Sequence, residues 1–125
     1  MKTILVDAWN SFVKEDGVDI KMKVLLDSYP NNKIIVTNAN DDERVKFGIT
    51  NMPYPVFSLA HKPNKTDSDY FSQLLNHFNL NINEVVYFEH NEEASNAARS
   101  VNIPTLWFKK NEDLNVLKTF LDNNL

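Results

Sequence analysis

The 125-residue sequence contains no cysteine and only two glycines, and it has neither a positive net charge nor a long apolar run. Without cysteine there can be no disulfide, thiolate nucleophile or thiolate metal site, which is compatible with a reducing compartment. With a net charge of -4 and a pI near 5.3, the protein lacks the positive field that general binding to nucleic acids or anionic membranes requires. The first apolar run, residues 4–6, is too short for a signal-peptide core or a membrane span. We therefore expect a cytoplasmic protein.

Asparagine is abundant where glycine is scarce, and it lies at positions where turns are expected. Asparagine tolerates the left-handed backbone conformation better than most residues do. We therefore expect Asn10 and Asn102 to occupy positions where glycine is otherwise common.

Short apolar runs alternate with helical periods along the whole chain. The strand-like runs are residues 3–6, 34–36, 56–59, 85–88 and 105–108, and apolar stripes at helical spacing cover 18–29, 71–78, 94–101 and 114–121. A shorter helix is predicted at 41–46, and Asn91 and either Thr66 or Asp67 are expected to cap helices. This alternation predicts one domain, residues 1–125, with a Rossmann-like α/β/α sandwich around a five-stranded parallel sheet.

Polar residues of four chemical kinds follow the first four strand-like runs. Asp7 follows the first run, Thr37 and Asn38 the second, His61-Lys62-Pro63 the third, and Glu89-His90-Asn91 the fourth. Because the carboxyl ends of parallel strands meet at one edge of the sheet, where α/β proteins bind ligands, these side chains are expected to converge. Each of these residues alone would more often be an ordinary turn former or surface residue. Only their expected convergence at one edge of the sheet indicates a functional site.

In this order the residues resemble the haloacid dehalogenase-like hydrolase superfamily, and the resemblance extends from residue 6 to about 108. In that family an aspartate nucleophile ends the first strand, a Ser or Thr ends the second, a lysine follows the third, and acids end the fourth. Asp7, Thr37, Lys62 and Glu89 occupy those places, and the run 98–104, Ala-Arg-Ser-Val-Asn-Ile-Pro, is similar to the family as well. The resemblance implies the strand order 5-4-1-2-3. Loops 12–19 and 60–67 are too short for a cap domain.

The resemblance also implies a phosphohydrolase acting on a phosphorylated small molecule or macromolecule. A carboxylate nucleophile splits one difficult displacement into two easier steps. Asp7 would be that nucleophile and Lys62 would neutralise charge on the transferring group. The substrate phosphate would be bound by Thr37, Asn38, Trp9 and Asn10. Mg²⁺ would be held by Asp7, the backbone carbonyl of Trp9 and Glu89, with His90 and Asn91 in auxiliary positions.

Two departures from the family's motifs reduce the expected activity. Trp9 stands where the phosphatases of the family carry a general acid, and such a group contributes about 10² to 10⁴ in rate. Its absence restricts the predicted reaction to activated substrates such as acyl phosphates. The fourth motif is Glu89-His90, with Ala94 where a further acid sometimes stands, so there is less negative charge to hold Mg²⁺.

Three other interpretations are open. A catalytically silent module could bind a phosphorylated ligand or protein partner at the same edge. The motif from Asp7 to Ser11, Asp-Ala-Trp-Asn-Ser, is also similar to that of metal-independent dehalogenases, although those enclose their substrate with a helical cap. The third interpretation is a receiver-like domain. In such a domain an acidic pair follows the first strand and the phospho-acceptor follows the third strand, which does not match the order of residues in this sequence. Without a lid, the site would suit a bulky substrate, or a partner or a second subunit would be needed to close it.

Overall fold

The computed structural model describes all 125 residues and contains seven strands and five α-helices. The strands are β1 (Thr3–Asp7), β2 (Val13–Lys14), β3 (Gly17–Val18), β4 (Lys33–Thr37), β5 (Val56–Ser58), β6 (Val85–Glu89) and β7 (Thr105–Trp107). The helices are α1 (Ile20–Asp27), α2 (Asp41–Lys46), α3 (Asp69–Phe78), α4 (Glu92–Ser100) and α5 (Leu114–Asn124). A single 3-10 turn, Ile82–Glu84, precedes β6. No helix combines the length and the apolar character that crossing a bilayer requires.

Five strands form one parallel sheet in the order β5-β4-β1-β6-β7. Counted along the chain without the two short strands β2 and β3, and read from the β7 edge, this is the expected order 5-4-1-2-3. The central strand β1 pairs with β4 on one side and β6 on the other, and Asp7 is the partner of Val36. The end of β1 therefore lies at the middle of the carboxyl edge, between the ends of β4 and β6.

The sheet is buried on both faces because its side chains alternate between two apolar layers. All five residues of β1 and of β6 are buried, as is typical of strands covered by helices on both sides. Ile4 and Val6 pack in a cluster with residues of α1 and α5, whereas Leu5 packs in a second cluster with residues of α3 and α4. The structure thus has the expected three layers of a Rossmann-like α/β fold.

The segment between β1 and α1 contains a small antiparallel hairpin that the sequence analysis treated as a loop. Val13 pairs with Val18 and Lys14 with Gly17, which has a φ of 109°. Two-residue strands are too short to show an alternating pattern in the sequence, so they escape prediction. The hairpin brings the chain back beside the end of β1, where Trp9 forms a bridge with Val13.

The left-handed backbone conformation expected at Asn10 and Asn102 is confirmed. Asn10 has a φ of 69° and Asn102 a φ of 68°. The same conformation occurs at Asn51, Asn79 and Asn111. Asparagine therefore supplies much of the turn geometry that glycine commonly supplies in other chains.

The predicted helix starts agree with the structure in two of three cases. Asn91 caps α4, its side chain accepting a hydrogen bond from the Ala94 N–H at 3.0 Å. The bounds of α2 match the predicted range 41–46. At α3 the cap position falls on Ser68, whose side chain makes no capping hydrogen bond, and the predicted Asp67 beside it accepts from the Asp69 N–H at 2.9 Å.

Tyr70 ties the ends of β4 and β5 to α3, and its removal is a test of this fold. Its fully buried hydroxyl accepts from the Thr37 N–H at 3.1 Å and lies 3.0 and 3.1 Å from the carbonyl oxygens of Thr37 and Phe57. Tyr70→Phe removes the hydroxyl and so leaves the Thr37 N–H and the two carbonyl oxygens without this hydrogen-bond partner. We therefore expect the free energy of unfolding, measured with urea, to fall by about 1–3 kcal/mol. Tyr29→Phe, at a partly exposed hydroxyl, is the control, and an equal loss in both variants would contradict the prediction.

Candidate functional site

Asp7, at the end of β1, is completely buried, and its carboxylate accepts four hydrogen bonds, three of them at Oδ2. Oδ1 accepts from Lys65 Nζ at 2.8 Å. Oδ2 accepts from the Ser11 hydroxyl at 2.7 Å and from the His90 N–H at 3.0 Å, and His90 Nδ1 lies 2.5 Å away. Ser11 reaches back because the chain turns tightly after β1, with the Phe12 N–H bonded to the Asp7 carbonyl at 3.2 Å.

Glu89, at the end of β6, is the second fully buried carboxylate of the site. Its Oε1 accepts from Lys65 Nζ at 2.7 Å and from the Tyr87 hydroxyl. Its Oε2 accepts from the Asn91 N–H at 3.0 Å. Tyr87 reaches Glu89 because residues two apart on a strand project from the same face of the sheet.

Two cations bridge these two carboxylates. Lys65 lies between Asp7 Oδ1 and Glu89 Oε1, and His90 Nδ1 lies 2.5 Å from Asp7 Oδ2 and 3.2 Å from Glu89 Oε2. We call Asp7, Lys65, Glu89 and His90 the charge quartet. Because removing ions from water costs several kcal/mol each, a buried charge persists only where it is paired and hydrogen-bonded. In the quartet each carboxylate contacts both cations.

The pKa values of the quartet follow from this pairing. Burial alone would raise the pKa of Asp7, but the charge of Lys65 and the hydrogen bond from His90 outweigh it and hold that pKa well below its usual range. Burial would lower the pKa of Lys65, but Asp7 and Glu89 raise it above its usual value. Burial would lower the pKa of His90, but the hydrogen bonds to Asp7 and Glu89, together with the charges of these two carboxylates, outweigh it and raise that pKa to about 9. At neutral pH His90 is therefore an imidazolium.

A cleft of about 200 Å³ opens above the quartet at the carboxyl edge of the sheet. His90 lines it with a side chain that is 25% exposed. Its Nε2 makes no hydrogen bond within the protein. Because every buried side-chain nitrogen and oxygen atom of the structure does have a hydrogen-bond partner, this Nε2–H faces solvent. The same reasoning applies to Nδ2 of Asn38, which also lines the cleft. These two groups are hydrogen-bond donors available to a ligand.

Most of the residues predicted for the site do meet at this cleft. It is lined by Asp7, Trp9, Thr37, Asn38, Glu89, His90 and Asn91. Several of their polar atoms also serve the fold. Thr37 Oγ1 accepts from the Ala39 N–H at 3.1 Å, Asn38 Oδ1 accepts from the Lys65 N–H at 2.6 Å, and Asn91 caps α4. The predicted phosphate-binding role of Thr37 and Asn38 stays a prediction.

The lysine of the site is Lys65, and the prediction of Lys62 is wrong. Lys62 is exposed and makes no contact with Asp7. The loop after β5 places Lys65 over the sheet edge because the backbone N–H of Lys65 donates to Asn38 Oδ1. From this position the Lys65 side chain contacts the carboxylates of Asp7 and Glu89. The neighbouring His61 stays at the cleft mouth, where its Nε2 lies 2.5 Å from Glu43 Oε1.

Asn10 is likewise outside the cleft, contrary to the prediction that it binds substrate. Its backbone adopts the left-handed conformation in the turn after β1, and its N–H donates to the Val13 carbonyl at 2.9 Å. It lines a separate surface depression beside Lys14 and Lys110. The position of Asn10 is thus determined by the turn.

The donor set of this site does not fit Mg²⁺ as it is arranged. Ligand atoms of Asp7, Glu89 and His90 lie within 4.8 Å of one another, which is compatible with a cation by distance alone. However, the Lys65 ammonium already bridges the two carboxylates, and every carboxylate oxygen accepts at least one hydrogen bond. Mg²⁺ favours an octahedral set of oxygen ligands and waters, and it would have to displace Lys65 and the His90 proton to obtain them.

Comparison of the chain with family models, with curated proteins and with solved structures found no match. The family resemblance drawn from the motifs therefore stays a hypothesis, whereas the α/β architecture and the site geometry stand on the structure itself.

Four residues of the site were missed by the sequence analysis. These are Ser11, Lys65, Tyr87 and Trp107, whose Nε1 donates to the His90 carbonyl at 2.9 Å. Tyr87 could have been found from its spacing, since it precedes Glu89 by two residues on one strand. Lys65 had no such signal, because the loop contains two lysines and only the path of its backbone distinguishes them.

Lys65→Met removes one cation and leaves two buried carboxylates facing each other. We expect the free energy of unfolding to fall by about 3–5 kcal/mol, because breaking a buried pair leaves an uncompensated charge. Lys62→Met is the matched control, since it removes an exposed lysine from the same loop. Urea unfolding of both variants measures the difference, and equal losses would contradict the assignment of Lys65.

Stability is expected to decrease as the pH rises from about 6.5 through 9. The folded-state pKa of His90, about 9, lies above its ordinary value of 6.5, so its stabilisation is complete below pH 6.5 and is lost as the proton leaves at about pH 9. The full effect is roughly 3 kcal/mol. Urea unfolding between pH 6 and 10 measures it. His90→Asn should flatten the curve in this range, and an unchanged slope would be evidence against the assignment.

Proposed function

We propose that this chain binds a phosphorylated ligand in the cleft and holds it without hydrolysing it. The observation that carries the proposal is the enclosure of Asp7, whose fully buried carboxylate accepts four hydrogen bonds. The same enclosure positions His90, which keeps one N–H directed to solvent at the cleft. Both oxygens of Asp7 are thus engaged in the charge quartet, and the site retains a cationic donor at the cleft.

A carboxylate nucleophile needs a lone pair that points at the phosphorus atom. Oδ2 of Asp7 has none to spare, because Ser11 and two groups of His90 donate to it. The depressed pKa of Asp7 also means that its electron density is held by Lys65 and His90, and a less basic carboxylate is a weaker nucleophile. Trp9, at the place expected for a general acid, has no proton to offer a leaving group of high pKa.

Binding of a phosphate group is supported by the donors that remain. A phosphate monoester is a dianion at neutral pH, and its oxygens are strong hydrogen-bond acceptors. The imidazolium of His90 offers Nε2–H with a positive charge, and Asn38 offers an amide N–H in the same cleft. Thr66 also lines this cleft. A charge-assisted hydrogen bond of this kind is worth about 1.5–3 kcal/mol.

A second candidate function is slow hydrolysis of activated phosphates, such as acyl phosphates. It is favoured by Oδ1 of Asp7, which accepts only one hydrogen bond, from Lys65. A leaving group of low pKa needs no general acid, so the absence of one at Trp9 would matter less for these substrates.

Phosphate release decides between the two functions. The substrates are acetyl phosphate, an aryl phosphate, nucleotides and sugar phosphates, each with Mg²⁺ and with a chelator. We expect no release above the level of Asp7→Asn, which removes the nucleophile and keeps its shape. Release that requires Asp7 would overturn the binding-only proposal and establish the second candidate.

Binding of inorganic phosphate, measured by calorimetry, tests the positive part of the proposal. His90→Asn keeps a donor near the position of Nδ1 and removes Nε2, so affinity should fall about 10- to 100-fold. His77→Asn, at an exposed histidine outside this cleft, should leave affinity unchanged. Equal affinity in the wild type and His90→Asn would rule out His90 as the anion contact.

A further inference from the structure

The cleft has an aromatic surface that an inorganic phosphate would not use. Trp9 and Phe47 both line it, with ring centroids 4.7 Å apart and ring planes tilted by 37°. Both side chains are partly exposed, and the buried Ile49 lines the cleft beside them. The cleft therefore combines a cationic donor, His90, with an apolar surface of two rings.

The two rings are held in place by ordered backbone, so the surface exists before any ligand arrives. Trp9 is fixed by its bridge to Val13 and by the turn in which the Asn10 N–H bonds to the Val13 carbonyl. Phe47 ends α2, and its N–H donates to the Glu43 carbonyl at 2.8 Å. Each ring also packs against the other. A preorganised surface of this kind loses little side-chain entropy when a ligand binds.

Charge and size restrict the ligand to a small molecule. The cleft holds about 200 Å³, and the contact between His61 and Glu43 spans its mouth from the β5 loop to α2. The first turn of α2 carries Asp41, Asp42 and Glu43, which oppose the approach of a polyanion. A single phosphate monoester carries its charge at one end only and can direct the rest of the molecule away from these acids.

We infer that the ligand is a small phosphate monoester that carries a flat aromatic ring. Its phosphate contacts the Nε2–H of His90 while its ring lies against Trp9. This inference rests on the proposed function and adds the chemical class of the ligand. Stacking between aromatic rings favours an aromatic group over a saturated group of equal size, beyond the burial of apolar area that both share.

The test compares three ligands in calorimetric titrations of the full chain. Inorganic phosphate measures the contacts with the polar groups of the cleft, including His90, without a contribution from a ligand ring. Phenyl phosphate and cyclohexyl phosphate have similar size and equal charge, so their difference isolates the aromatic ring. We expect phenyl phosphate to bind about 2- to 10-fold more tightly than cyclohexyl phosphate, and both more tightly than inorganic phosphate.

Trp9→Leu is expected to abolish the preference for phenyl phosphate over cyclohexyl phosphate, and the affinity of the same variant for inorganic phosphate is measured alongside as its baseline. Phe47→Leu is a second variant with the same expected direction, used if Trp9→Leu fails to fold in a thermal melt. The control is Phe120→Leu, which removes a ring from α5 that does not line the cleft and should retain the preference.

The outcomes separate this inference from the proposed function. Equal affinities for phenyl and cyclohexyl phosphate, or binding of inorganic phosphate alone, would overturn the inference while the phosphate-binding function stands. A preference that survives in both Trp9→Leu and Phe47→Leu would also overturn it. If none of the three ligands binds, the proposed function fails and the inference fails with it.

Discussion

The structure depends on the mutual neutralisation of four charges, three of them buried and that of His90 partly exposed, at the carboxyl edge of its sheet. Asp7 and Glu89 come from the central strand and its neighbour, Lys65 from the loop after β5, and His90 from the turn after β6. None of these groups could remain ionised there alone, because the desolvation cost would be several kcal/mol. Together they join segments that are distant in sequence, so the quartet is both the core of the site and a cross-link of the fold.

The same contacts that stabilise the quartet limit its chemistry. Each hydrogen bond to Asp7 lowers the energy of its ionised form, and the depressed pKa expresses this. A nucleophilic carboxylate instead needs weak hydrogen bonds in the resting site, so that it can give them up at little cost in free energy when it attacks. His90 is in a different situation, since its Nδ1 side is engaged and its Nε2 side is open to the cleft. The geometry therefore directs the positive charge of His90 towards the cleft.

Those parts of the fold that depend on local patterns could be predicted from the sequence. The strand runs ending at Asp7 and Glu89, the helix cap at Asn91 and the left-handed turn at Asn10 all follow from residue type and spacing. The choice of Lys65 over Lys62 could not, because it depends on a loop path fixed by a contact with Asn38, a residue of another strand end. The four hydrogen bonds to Asp7 were also beyond prediction, since their donors come from three separate segments.

Charge balance in the quartet also has an evolutionary consequence. An acid in place of His90 would set three carboxylates against one lysine, and a neutral residue in place of Lys65 would leave two acids with one imidazolium. Each such single step loses stability unless a second change or a bound cation restores neutrality. The four positions are therefore strongly epistatic. A lineage that once acquired this arrangement is expected to keep all four residues or to exchange them in compensating pairs.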